Sequence, residues 1–267
     1  MNRAVPTPAA LMPDPGIIVL GLSLVLVGLI AISSASIEYA QINYNSTSFH
    51  TKRHLIYMVV AGIASVAVYR IPLEFWEETG WIWLFAALGL LILVLIPGVG
   101  REVNGSQRWL PLGPFTLQPS EFAKLAMIVY LAGYMVRREH EVRHQWQGFL
   151  KPMAVLFAAT LLLMVEPDFG ATVIVAGSAF GMLFLAGVKL GHFLVVLAGA
   201  LGALLVLVVS EPYRVKRLTA YTDPWADPYD TGFQLTQSLI AFGRGEWFGV
   251  GLGNSVQKLF YLPEAHT

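Results

Sequence analysis

Long apolar runs separated by short polar punctuation make up most of the chain. A hydrocarbon layer about 30 Å thick needs roughly 20 helical residues to cross it. Stretches free of Asp, Glu, Lys and Arg reach that length at residues 15–37, 79–100, 169–188 and 190–210. Three weaker stretches, 54–69, 120–136 and 148–165, qualify once charges at or inside their ends are accepted. Snorkelling accounts for Lys151, whereas Glu121 and Lys124 need another explanation. The pattern predicts an all-α fold, a polytopic transmembrane helical bundle with spans near 16–36, 54–70, 79–99, 120–136, 148–165, 169–187 and 192–210, followed by an outer loop over 211–267.

Seven spans place the two ends of this arrangement on opposite sides. Arg3, Arg70, Arg137, Arg138, Arg143, Lys151 and Lys189 fall on one side, and Lys52, Arg53, Arg101 and Arg108 on the other. The richer side is cytoplasmic by the positive-inside rule, which puts the amino terminus in the cytoplasm. The Pro-rich leader carries a single Arg, and the first span is too long for a signal-peptide core, so it reads as retained. With no repeat and no low-complexity tract, residues 1–267 read as one membrane domain. The stretch 211–267 differs from the rest, because charges alternate there with aromatics, prolines and glycines. A segment so long and so aromatic is expected to be functional rather than disordered.

Composition agrees with a membrane protein. Of 267 residues, 56% are hydrophobic and 13% charged, about half the charged share of a soluble domain, and the mean hydropathy is +0.63. The 17 basic residues balance 17 acidic ones with no basic tail, which argues against a nucleic-acid partner. The absence of cysteine excludes disulfides, thiolate metal sites and Cys nucleophiles.

Candidate chemistry sits where charge meets these spans. Glu121 and Lys124, three apart in QPSEFAK, share a helix face, with Ser120 placed to cap the helix and Glu121 at its positive end. They face either the bundle interior or the headgroup layer, where the pair would only help packing. EPDFG at 166–170 joins two spans with almost no loop and sets two carboxylates at the outer boundary. Pro167 ends one helix, Gly170 permits close approach at the next, and Asp168 is either a cap or a site residue. In 101–119, Asn104-Gly105 reads as a turn, and Arg108 beside Trp109 suits an anionic headgroup or an ordinary aromatic belt. Arg214, Lys216, Arg217, Arg244 and Lys258 give the outer loop five cations, suited to phosphate or pyrophosphate or to salt pairing within the loop. HEVRH at 140–144 matches a zinc-protease pattern, but its polar cytoplasmic context and lack of a third ligand make it a chance match, so no metal site is assigned. GVGLG at 249–253 lacks the strand-helix unit of a dinucleotide site and reads as a tight turn. The sequons at Asn45 and Asn104 have meaning only in a glycosylating host.

These residues alone define a polytopic membrane protein with a charged outer site. The segments NGSQRWLPLGPFTLQPSEFAK, EPDFGA, DPWADPYDTGFQLTQSLIAFGRGEWFGVGLGNS and QKLFYLPEAHT, in this order, closely resemble the SEDS family of membrane glycosyltransferases. Gln234 to Ser238 and Ala265 resemble its cell-division branch rather than its rod-shape branch. The resemblance implies a ten-span enzyme of the bacterial inner membrane that polymerises lipid II into glycan strands at the division septum. Seven spans and most of the outer loop would fall within this chain. In the family, the Asp regarded as catalytic directly follows Pro-Glu-x-x-Thr, so the chain stops at Thr267, one residue short of it. Phe260 departs from the Glu often found at its position.

On that reading, the Asp would take the proton of the acceptor sugar hydroxyl as it displaces a lipid pyrophosphate. Arg108, Arg214, Arg217 and Lys258, or a divalent cation, would stabilise the departing charge; no cofactor is otherwise implied. By motif, Glu121 and Lys124 would form a buried charge pair. Asn104, Trp109, Asp168, Gln237, Ser238, Glu264 and His266 would line or support the outer cavity. The implied partners are lipid II, the nascent glycan strand, a class B penicillin-binding protein transpeptidase and other divisome membrane proteins. A flippase for the lipid-linked precursor and a non-catalytic divisome scaffold are the competing readings.

Overall fold

The computed structural model describes residues 14–103, 106–113, 115–251, 253–259 and 261–262. It divides into two compact units, one comprising residues 69–206 and the other the chain before and after them. Asn104, Phe260, Glu264 and His266 lie outside the described residues.

In the unit before and after 69–206, α1 (Pro15–Tyr44) and α2 (Phe49–Arg70) are long apolar helices. Asp14 caps α1, accepting from the Gly16 and Ile17 amides at 2.7 and 3.4 Å. Both helices outrun the expected spans, because Glu38, Lys52 and Arg53 interrupt an apolar run without interrupting a helix. The expected outer loop contains α9 (Pro212–Thr222), α10 (Phe233–Gly245) and a short 3-10 turn over Val256–Lys258.

In the unit 69–206, α3 (Leu73–Val94) starts earlier than the charge count predicts. Glu74 occupies its first turn, where the helix dipole favours acid, and the helix stops just ahead of Pro97 and Gly98. The segment between α3 and the next helix forms an antiparallel three-stranded sheet of β1 (Arg101–Val103), β2 (Ser106–Leu112) and β3 (Phe115–Leu117). β2 pairs with both neighbours, setting Arg101 opposite Trp109 and Leu110 opposite Leu117. Then follow α4 (Pro119–Arg137), α5 (Glu139–His144), α6 (Trp146–Val165), α7 (Phe169–Leu185) and α8 (Leu190–Val209). Among the described residues, α1, α2, α3, α6 and α8 are long and apolar enough to cross a membrane, and α7 is a shorter apolar helix.

Helices α3, α4, α6 and α7 share a core of Leu84, Ala87 and Leu91; Ala123, Ala126, Met127 and Leu131; Leu156, Ala159 and Leu163; and Ala171, Val175 and Ala179. The spacing of three or four keeps one stripe of each helix inward, while Leu125, Phe157 and Leu161 are left exposed on other faces. Apolar helices gain little from meeting each other in lipid, so small residues that permit close packing carry much of the association. A Cβ at Gly80 would lie 3.3 Å from the Tyr130 Cα, and one at Gly133 would lie 3.1 Å from the Glu77 carbonyl.

At the other end of α4, Tyr134 donates to the Gly148 carbonyl at 2.9 Å, and Arg143 donates to the Ala186 carbonyl at 3.0 Å. A Cβ at Gly148 would stand 2.3 Å from the carbonyl carbon of Glu141. Gly148→Ala is therefore expected to cost about 1–3 kcal/mol through forced backbone movement, lowering the detergent melting temperature. Gly177→Ala, whose Cβ meets nothing within 4 Å, is expected to leave the melt unchanged.

Candidate functional site

The polar centre of the 69–206 unit is the corner between α6 and α7. The chain has only Glu166, Pro167 and Asp168 in which to reverse direction, so their polar groups must be satisfied by neighbouring elements. Asp168 is the N-cap of α7, its Oδ1 accepting from the Ala171 amide at 3.1 Å. Its Oδ2 accepts from Gln118 Nε2 at 3.1 Å and Ser120 Oγ at 3.0 Å, both from the start of α4. The cap reading of Asp168 holds, and the same carboxylate also joins α7 to the start of α4. Ser120 does not cap its own helix as the sequence suggested; Gln118 holds that position, and the Ser120 hydroxyl reaches across to α7. Gly170 is not needed for close approach either, since a Cβ there would meet only Asp168 Oδ1, at 3.9 Å.

Arg108 reaches the same corner from β2. Its Nε donates to the Glu166 carbonyl at 3.2 Å, and its Nη2 donates to the Pro167 carbonyl at 3.0 Å and to Ser106 Oγ at 2.8 Å. The strand is anchored in turn by Gln107, whose Nε2 donates to the Ile96 and Gly100 carbonyls at 3.0 and 3.1 Å. Arg108 and the neighbouring Trp109 are half-buried. The cation is thereby fixed by main-chain acceptors rather than by a carboxylate.

Glu166 is the residue that sequence reasoning left out of the site. Its side chain is fully buried, and among the described residues neither carboxyl oxygen has a hydrogen-bond partner. Burial first, and the Asp168 charge second, push its pKa up to about 8 against the opposing pull of Arg108. The EPD spacing exposed two nearby carboxylates, but nothing in it showed which would be buried.

One turn into α4, Lys124 pairs with Glu121 at 2.8 Å. The pair forms on a shared face as the spacing required, but Glu121 leaves 62% of its side chain exposed, so the pair is not a buried one. In the 140–144 motif, Glu141 is paired with Arg138 at 2.5 Å and lies 3.8 Å from Lys151. His144 Nδ1 lies 3.1 Å from the His140 carbonyl.

The remaining candidates belong to the other unit. Arg214 Nη1 donates to the Leu207 carbonyl at 2.5 Å, which ties α9 to the end of α8; Arg217 is also on α9. Ser238 Oγ bonds the Gln234 carbonyl at 2.8 Å and borders a cavity of about 290 Å³ with Ala220, Tyr221, Thr231, Gln234 and Leu235. Gln237 is half-buried on the same helix. Lys258 borders a second cavity, of about 270 Å³, with Glu38, Asn254 and Ser255. Gly249, Gly251 and Gly253 all have positive φ, as a tight turn requires.

Apolar membrane-length helices around a polar corner define a multi-pass helical membrane protein. Residues 16–267 match the family model FTSW_RODA_SPOVE, described as cell cycle protein, and the chain belongs to that family. It is 54% identical over 246 residues to a Pseudomonas fluorescens (strain SBW25) protein named "Probable peptidoglycan glycosyltransferase FtsW", covering 92% of this chain and 60% of the relative. A Nitrosococcus halophilus (strain Nc4) protein of the same name is 52% identical over 257 residues, covering 96% of this chain and 66% of the relative. The chain thus spans about two thirds or less of the length of these relatives. Among solved structures, a peptidoglycan synthase complex described as coordinating polymerization and crosslinking matches with TM-score 0.62 and 28% identity, over 84% of this chain and 64% of that one. The Thermus thermophilus rod shape determining protein RodA matches with TM-score 0.62 and 27% identity, over 75% of this chain and 61% of that one.

Asp168→Ala would strand the Gln118 and Ser120 donors and uncap α7, with an expected loss of about 2–4 kcal/mol in stability; Asp168→Asn should retain part of it. Glu166 gives a pH signature of defined sign. Its carboxyl loses a proton more readily in the unfolded chain, so wild-type stability falls as pH rises from about 4.5 through about 8. Glu166→Gln should therefore melt higher than wild type in mild alkali, with the advantage shrinking toward acid pH.

Proposed function

We propose that the protein is a peptidoglycan glycosyltransferase that polymerises lipid II into glycan strands at the division septum. The observation that carries this reading is the family match over residues 16–267, joined to relatives at about half identity that bear the glycosyltransferase name. The enzyme sits in the bacterial inner membrane, with its amino terminus cytoplasmic, the seven spans at the positions set out above, and 211–267 outside. A carboxylate just beyond Thr267 acts as base on the acceptor hydroxyl. Arg108, Arg214, Arg217 and Lys258 meet the lipid pyrophosphate, aided by a divalent cation if one binds. Asn104, Trp109, Gln237 and Ser238 contact the substrate, while Glu121, Lys124, Asp168, Glu264 and His266 support the cavity.

The match to a synthase complex that couples polymerization to crosslinking supports a class B penicillin-binding protein as partner. Other divisome membrane proteins complete the assembly. The arrangement suits the chemistry, because a guanidinium already held by main-chain carbonyls needs little reorganisation when charge develops on a departing pyrophosphate.

The test is polymerisation of lipid II by the full-length protein with its cognate transpeptidase. Arg108→Ala and Lys124→Ala are each expected to lower the rate by about 10²-fold or more while leaving expression intact. Unchanged polymer formation by both variants would remove these residues from the site. A folded full-length protein that moved lipid II across vesicles without forming polymer would overturn the enzyme reading in favour of a flippase.

A further inference from the structure

Glu166 combines three features that the proposed reaction does not use. Its side chain is wholly buried, neither carboxyl oxygen is hydrogen-bonded among the described residues, and it stands in the corner that holds Arg108. Arg108 hydrogen-bonds residue 166 at its main-chain carbonyl. Burying an unpaired carboxylate is far costlier than burying the neutral acid, so this geometry favours a retained proton.

The charged surroundings are few. β2 contributes Arg108, and the corner itself contributes Asp168, whose oxygens are engaged by Gln118, Ser120 and the Ala171 amide. On α4, Glu121 and Lys124 compensate each other. The acidic residues of α3 lie in its first two turns, Lys151 lies near the start of α6, and α7 has no ionisable residue. On the sheet, Arg101 and Glu102 of β1 are exposed. With Glu166 protonated, the positive charge of Arg108 is set against the single negative charge of Asp168; with Glu166 ionised, the corner is net negative.

We propose that Glu166 is a positioning residue carried as the neutral acid, and that its proton lets Arg108 accept a phosphate-type oxyanion that the ionised corner would repel. Among the described residues Arg108 Nη1 has no hydrogen-bond partner, leaving a donor for that ligand while Nε and Nη2 fix the guanidinium. The proposal rests on the reading of Arg108 as a pyrophosphate contact and adds to it a regulation by pH. The upward shift of the Glu166 pKa to about 8 places the change in mild alkali.

The test uses the full-length protein in detergent micelles with farnesyl pyrophosphate as probe, titrated calorimetrically between about pH 7 and about pH 9.5. Farnesol controls for partition of the tail. Wild-type affinity should fall by about tenfold across that range, the scale of one unit charge gained near another at an intermediate dielectric. Glu166→Gln, neutral throughout, should show a change of under about threefold, and ionisation of the probe itself is common to both proteins and cancels. Glu166→Met is the second neutral variant, and melting curves at each pH establish that every protein titrated is folded. If wild type and the folded neutral variants fall together, the role of Glu166 is overturned while Arg108 keeps its own. If Arg108→Ala binds the probe as wild type does, the reading of Arg108 fails, and the inference fails with it.

Discussion

The clasp at the α6–α7 corner is the constraint on which the rest of the 69–206 unit depends. Two helices that reverse direction through three residues expose amides and carbonyls that no long loop can satisfy. One carboxylate, Asp168, accepts from the Ala171 amide of α7 and from the Gln118 and Ser120 side chains at the start of α4. One guanidinium, Arg108, answers two of the carbonyls from the sheet. The helices are brought together by small-residue stripes, but those stripes are apolar and non-directional; the corner supplies direction.

Position and charge are consequently linked. Arg108 is on β2, which Gln107 fastens to the segment just after α3, and the corner carbonyls fix the guanidinium. These acceptors are neutral, and among the described residues no carboxylate forms an ion pair with Arg108. The price is a corner in which a second carboxyl, Glu166, has no acceptor role and is held most cheaply as the neutral acid.

Much of this was legible in the sequence. Apolar runs gave the helical class, and the EPD and SEFAK spacings placed Asp168 and the Glu121–Lys124 pair. The helices run past Glu38, Lys52 and Glu74, because a charge ends an apolar count without ending a helix. The sheet over 101–117 was invisible because two of its strands are only three residues long, and the sequence between strands is written in the same Gly, Pro and Asn alphabet as a loop. Ser120 looked like a cap because local spacing cannot reveal a partner 48 residues away. The burial of Glu166 was hidden for the same reason, since burial belongs to the packing and not to the residue.

A double-mutant cycle between Ser120 and Asp168, read as unfolding free energy in detergent, tests the clasp most directly. Ser120→Ala, Asp168→Asn and the pair should show a coupling of about 0.5–3 kcal/mol, as for groups joined in one buried network. Strict additivity of the two substitutions would mean that the corner does not bind α4 to α7, and the account built on it would fall.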